Sequence, residues 1–189
     1  SSPFSFSVER MGGTSGDIWN GVPDMSFEDQ YLEIGQNATG NPTFYGLGER
    51  VGDLALGTGK FTMWNEDQGG AIVASNLYGT HPLLLQHKND KSSAVFFLNS
   101  NAMEVDISDD GEVVWKSIGG IIDVFFIVCD SPDEVVQAYM DIVGKPHLPP
   151  YWSLGFHQTR WGYHTIQELN TVLQQYEFHG IPLDALWSD

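Results

Sequence analysis

Cysteine is nearly absent, Cys129 being the only one among 189 residues. An internal disulfide is thereby excluded, and so is a metal cage built from thiolates. Cys129 closes the apolar run that begins at Ile121, where a buried, unreactive thiol is the expected state. Positive charge is scarce as well. Eight Lys and Arg stand against 25 Asp and Glu, a net charge of −17. Nucleic acid and anionic membrane both reward Lys and Arg, so neither is an expected partner. No apolar run approaches the roughly 20 residues that cross a bilayer, and no membrane span is expected. No charged-then-apolar leader opens the chain at Ser1, so any export signal is expected to have been removed already. The histidines His81, His87, His147, His157, His164 and His179 show no metal-ligand spacing. No metal and no cofactor is expected.

What the chain does contain is enough apolar material for a core, 41% hydrophobic and 13% aromatic residues. Most of it comes as short β-type runs broken by Gly, Asn and Pro. Phe4–Glu9 alternates apolar and polar residues, and Tyr31–Ile34 repeats the pattern. Thr43–Arg50 reads as a strand whose two glycines suggest a bulge or a close backbone approach. Phe61–Trp64 runs into a polar, glycine-rich loop in which Trp64, Asn65, Glu66 and Asp67 either face a ligand or simply make the turn. Tyr78–Gln86 and Ser93–Asn99 flank the turn Lys88–Lys91, and Glu104–Ile107 and Val113–Trp115 flank an Asp-Gly turn. Ile121–Val128 is apolar almost throughout and should be covered on both faces. Short strands at this spacing predict a mainly antiparallel β-sandwich.

Ser131-Pro-Asp-Glu134 opens a helix with a capping box, and Gly144 with Pro146 stops it. The stiff segment Lys145–Pro150 follows. The domain junction is placed there, giving an amino-terminal domain over 1–148 and a second domain from 149 to 189. Trp152–Tyr163 reads as a strand, Thr165-Ile-Gln-Glu168 caps an amphipathic helix, and Ile181–Asp189 reads as a second strand. A β-α-β unit of this kind pairs its strands in parallel. In a β/α barrel the ligand site forms at the C-terminal strand ends, which puts Arg160 and Trp161 after one strand and Asp189 at the end of the next. Asn37-Ala-Thr39 is an N-glycosylation sequon, which favours a secretory-pathway location, whether secreted, lysosomal or in the ER lumen.

Seven motifs, in order, carry a resemblance: Phe44-Tyr-Gly-Leu-Gly-Glu49, Met63-Trp-Asn-Glu-Asp67, Asn76-Leu-Tyr-Gly-Thr-His-Pro82, Phe97-Leu-Asn-Ser-Asn-Ala-Met-Glu104, Gly119-Gly-Ile-Ile-Asp-Val124, Gly155-Phe-His-Gln-Thr-Arg-Trp-Gly-Tyr163 and Ile181-Pro-Leu-Asp-Ala-Leu-Trp-Ser-Asp189. They make the chain similar to the amino-terminal part of the α-glucosidases of glycoside hydrolase family 31, of the lysosomal and intestinal maltase type. The resemblance implies a β-sandwich followed by the first β-α-β unit of a (β/α)8 TIM barrel. It further implies a retaining enzyme that removes terminal α-linked glucose from oligosaccharides. Its two catalytic aspartates belong to later barrel strands, so this chain is expected to hold no catalytic residue.

The same resemblance assigns three substrate-binding positions: Asp67 on the sandwich loop, Trp161 after the first barrel strand, and Asp189 after the second. A flat indole suits a pyranose face, and a carboxylate makes strong hydrogen bonds to hydroxyls. One departure stands out, because Glu66 occupies the place of the family's usual arginine; a second negative charge there should disfavour the ionised form of Asp67. The expected partners are an α-glucoside oligosaccharide and the rest of the barrel, on another segment or chain. Two barrel strands leave an unpaired edge and an apolar face, so the 189-residue chain alone is expected to be unstable and inactive. The alternative is a non-catalytic structural or carbohydrate-binding subunit derived from the same fold.

Overall fold

The computed structural model describes residues 4–13, 16–22 and 25–188. In chain order its strands are β1 (Ser7–Val8), β2 (Trp19–Asn20), β3 (Ser26–Glu28), β4 (Tyr31–Asn37), β5 (Thr43–Gly46), β6 (Gly59–Met63), β7 (Leu83–Lys88), β8 (Lys91–Phe97), β9 (Met103–Ile107), β10 (Glu112–Ser117) and β11 (Val124–Cys129). Helix α1 (Pro132–Val143), a 3-10 turn (Tyr151–Leu154), β12 (His157–Arg160), α2 (Ile166–Phe178) and β13 (Ala185–Ser188) follow. The chain divides into two compact units after Gly144.

The first unit is a sandwich of two antiparallel sheets, ordered β3-β4-β10-β9-β6 and β11-β8-β7-β5. Alternation along the strands sends Ile34, Val105, Val113 and Trp115 from one sheet and Phe44, Leu84, Val95 and Phe97 from the other into a common core. The Phe97 and Trp115 rings meet edge to face across it, 5.8 Å apart. A second apolar cluster forms where α1 lies on the four-stranded sheet, with Val135 fully buried against residues that include Phe96 and Ile127. Tight turns set the strand registers. Asn89 and Asp90 both take positive φ (52° and 56°), the left-handed pair that joins β7 to β8 with a twist matching the strands.

Several strands are shorter than their sequence patterns. Thr43–Arg50 leaves the sheet at Gly46, because Gly46 (φ 107°) and Leu47 (φ 51°) turn out of the β region. A Cβ on Gly46 would sit 2.2 Å from the Leu83 carbonyl oxygen, so the close backbone approach foreseen for these glycines is present. Tyr78–Pro82 joins no sheet; its amides bind the 48–49 segment instead, His81 N–H donating to Gly48 O and Gly79 N–H to the Glu49 carboxylate. Phe4–Glu9 contributes only the two residues of β1. Strand β11 is covered on both faces through Ile127, between the main core and α1, but it is an edge strand and Val128 is exposed. Gly144 ends α1 with positive φ.

The second unit is one β-α-β turn in which β12 and β13 pair in parallel, His157 opposite Ala185 through Arg160 opposite Ser188. The foreseen strand over 152–163 is only four residues long. Pro149 and Pro150 lead into the 3-10 turn, closed by Ser153 N–H to Pro150 O, before the extended segment begins. Asp184 then locks the two strands. Its carboxylate accepts from Phe156 N–H at 2.8 Å, its own N–H donates to Phe156 O, and it packs so close to Gly155 that a Cβ there would lie 2.2 Å from Asp184 Oδ2. No helix among the described residues is long and apolar enough to cross a membrane.

Candidate functional site

In the first unit, strand β6 ends at the buried Met63 and releases residues 64–67 into solvent. Two side chains hold the base of that loop. Asn76, itself buried, donates through Nδ2 to Trp64 O at 2.9 Å and to Leu77 O at 2.7 Å. Arg50 donates to three carbonyls, Leu47 O and Thr62 O at 2.8 Å and Ala74 O at 3.1 Å, while its guanidinium lies 5.4 Å from the centre of the Phe61 ring. Burial lowers the Arg50 pKa, yet a guanidinium stays charged, and three carbonyl dipoles suit that charge.

On this base the four polar loop residues separate into two pairs. Trp64 and Asn65 line a cleft of about 380 Å³ together with Thr80, Asn99, Asn101 and Ile118. Glu66 and Asp67 are exposed, each with its own partner: Gln68 Nε2 donates to Glu66 Oε1 at 2.9 Å, and the Tyr78 hydroxyl donates to Asp67 Oδ1 at 2.6 Å. The unexpected glutamate is thus turned to Gln68. Asp67 is oriented by a phenol, whose donation satisfies one carboxylate oxygen and leaves acceptor capacity on the other.

In the second unit, β12 leads directly to Trp161, which is 81% exposed at the tip of a turn closed by Tyr163 N–H to Arg160 O at 3.3 Å. Gly162 in that turn has φ +139°, a value that side chains rarely take. Behind the turn, Gln158 Nε2 donates to the Tyr163 hydroxyl at 3.0 Å and Gln158 Oε1 accepts from the Tyr176 hydroxyl at 2.7 Å. His157 faces the other way, its ring stacked on Trp152 with centroids 5.9 Å apart and its Nδ1 accepting from Trp187 Nε1 at 3.4 Å. These contacts give His157 a packing role. Asp189 lies outside the described residues.

Asn37, the candidate glycan acceptor, is the exposed last residue of β4, and Lys88 Nζ donates to the carbonyl of Thr39 in the same sequon at 2.8 Å. Among the described residues no cluster of His, Cys, Asp or Glu has the geometry to hold a metal. Cys129 is half-buried where a buried thiol was expected, because β11 is an edge strand; desolvation raises the pKa of the thiol and Glu134 raises it further, while Arg10 lowers it. Sequence reading missed Arg50, Tyr78 and Gln158 as contributors. An arginine in a chain with so few cations is a signal that was available; the two hydrogen-bond relays are tertiary and left none.

Comparison with known proteins agrees with the resemblance. Residues 9–106 match the glycosyl hydrolase 31 N-terminal galactose mutarotase-like domain, and residues 146–189 match the glycosyl hydrolases family 31 TIM-barrel domain. Alpha-xylosidase 1 of Arabidopsis thaliana is 38% identical over 194 residues, covering 99% of this chain and 21% of the relative. Lysosomal alpha-glucosidase of Mus musculus is 38% identical over 192 residues, covering 99% of this chain and 20% of the relative. A crystal structure of the ER glucosidase II heterodimeric complex, catalytic subunit with the binding domain of the regulatory subunit, superposes with a TM-score of 0.70 at 25% identity, over 84% of this chain and 20% of that one. The chain therefore spans about a fifth of the length of the relatives it matches.

Proposed function

We propose, from the premise that this chain belongs to glycosyl hydrolase family 31, that it forms the amino-terminal part of a retaining α-glucosidase acting on terminal α-linked glucose. The observation that carries the reading is that both units match one family in chain order, each with a sugar-compatible group displayed on an exposed turn. Asp67 supplies a carboxylate acceptor oriented by Tyr78, and Trp161 supplies a flat indole face. Asp189 is proposed as a second carboxylate acceptor. The nucleophile and the acid/base are assigned to other residues of the full-length protein, together with the rest of the barrel. The domain junction is proposed at 148/149. Asn37 is proposed to carry a glycan and the protein to reside in the secretory pathway, as the exposure of Asn37 supports.

The test is hydrolysis of p-nitrophenyl α-glucoside and α-xyloside by the full-length protein, since relatives named for either sugar resemble this chain equally well. Glucoside turnover with retained anomeric configuration is the expected result. Turnover of xyloside alone overturns the choice of sugar, and turnover of neither overturns the reading. In the active protein, Asp67→Ala should lower kcat/KM about 10- to 100-fold, the worth of a charge-assisted hydrogen bond to substrate; unchanged kinetics would remove Asp67 from the site.

A further inference from the structure

We infer that Gln158 is a positioning residue for Trp161, acting through Tyr163; the inference rests on the reading of Trp161 as a sugar contact. Within this chain Trp161 is 81% exposed at the tip of its turn, so among the described residues its place is set by the backbone of that turn. That backbone contains Gly162, the residue with the greatest conformational freedom, at φ +139°. The turn is closed by one hydrogen bond, Tyr163 N–H to Arg160 O, at 3.3 Å. It needs a second attachment to be rigid.

Tyr163 provides that attachment through its hydroxyl, and Gln158 passes it to the helix. The amide has one donating and one accepting end, and both are used: Nε2 to the Tyr163 hydroxyl at 3.0 Å, Oε1 from the Tyr176 hydroxyl at 2.7 Å. Tyr176 sits on α2, whose first turn is fixed by a complete capping box, and its ring lies 6.0 Å from that of Phe156. A chain of contacts thus runs from the helix through Tyr176 and Gln158 to Tyr163, two residues beyond Trp161. An apolar side chain at this position cannot join the two phenols. Rigid support of a binding group is worth affinity even where the supporting residue never touches the ligand.

The experiment is a double-mutant cycle on the full-length protein, assayed with whichever aryl α-glycoside it hydrolyses. Gln158→Met keeps the volume and removes both hydrogen bonds; Tyr163→Phe deletes one hydroxyl and carries the same cycle should the methionine variant not fold. Each should raise KM about three- to tenfold, the worth of a neutral hydrogen bond, with kcat within about twofold. Trp161→Ala should raise KM more. Combined with Trp161→Ala, neither substitution should add anything, because the group being positioned is gone. An equal effect in both backgrounds, or no effect of either single change, overturns the inference while leaving Trp161 in the site. An unchanged KM for Trp161→Ala removes the reading of Trp161 and the inference with it.

Discussion

The two units of this chain reach ordered structure by different means, and their helices show it most plainly. In α1 the capping box is half made: Ser131 accepts from Glu134 N–H, but the Glu134 carboxylate takes Asp130 N–H in place of the N-cap amide. The helix is held instead by Val135, which is fully buried against the sheet. In α2 the box is complete, with Thr165 and Glu168 bonding each other's backbone amides, yet no residue of the helix is buried. Among the described residues, all 21 buried hydrophobic side chains lie in the first unit, whereas Ile166, Leu173 and Phe178 in α2 stay exposed. Local signals are sufficient to shape a β-α-β turn. Within this chain, which spans about a fifth of its relatives, α2 packs on no core, and a helix of about a dozen residues gains most of its stability from packing.

The sharpest way to break that contrast is to separate the units. A polypeptide of residues 1–144 should unfold in one cooperative thermal transition, followed by near-ultraviolet circular dichroism. Residues 145–189 alone should show none. A cooperative transition in the short piece would end the distinction. Single side chains should follow the same division: Trp115→Ala should destabilise the first unit by about 3–5 kcal/mol, as deletion of a buried aromatic does. Leu173→Ala, half exposed in α2, should cost less than about 1 kcal/mol by denaturant titration of the whole chain.

A comparably small effect concerns the cap of α2. Thr165→Ala should lower the stability of that helix by about 1 kcal/mol. The Glu168 carboxyl is held below its ordinary pKa by the backbone amides of His164 and Thr165 and by the Thr165 hydroxyl. A depressed folded pKa means that the contribution is present above the unfolded value and lost as the pH falls through the folded one. Helicity of α2 should therefore decline on acidification below about pH 4, and Glu168→Gln should abolish that acid-dependent part. Amide chemical shifts of 164–168 would report it.

What was legible in the sequence follows the same line between local and distant. The Thr165 box, the stop at Gly144 and the hairpin turns were readable because neighbours in the chain determine them, and the parallel pairing of the last two strands followed from their strand-helix-strand order. The half-formed box at Ser131 was not, because Glu134 has two amides within reach and sequence does not choose between them. Strand lengths were overread at Thr43–Arg50 and Trp152–Tyr163, where the chain pattern continues but backbone conformation leaves the β region. Beyond the hairpin neighbours β7–β8 and β9–β10, the order of strands in each sheet left no mark on the sequence. Asp67 and Trp161 came from likeness to a family, whereas the side chains that hold them, Tyr78 and Gln158, act across 11 residues to Asp67 and across 18 to Tyr176.

The distribution of tryptophan has an optical consequence. Trp19 and Trp115 are sealed in the sandwich, while Trp152, Trp161 and Trp187 in the second unit are between 47% and 81% exposed. Shielded indoles emit at shorter wavelength than hydrated ones, and a dissolved quencher such as acrylamide reaches the hydrated ones first. The emission of the native chain is therefore a sum of two populations, the sealed indoles of the sandwich and the exposed ones, which include Trp64 of the first unit at 54% exposure. A sugar settling on Trp161 would alter the red, quenchable part and leave the blue part unchanged, a readout that requires no label.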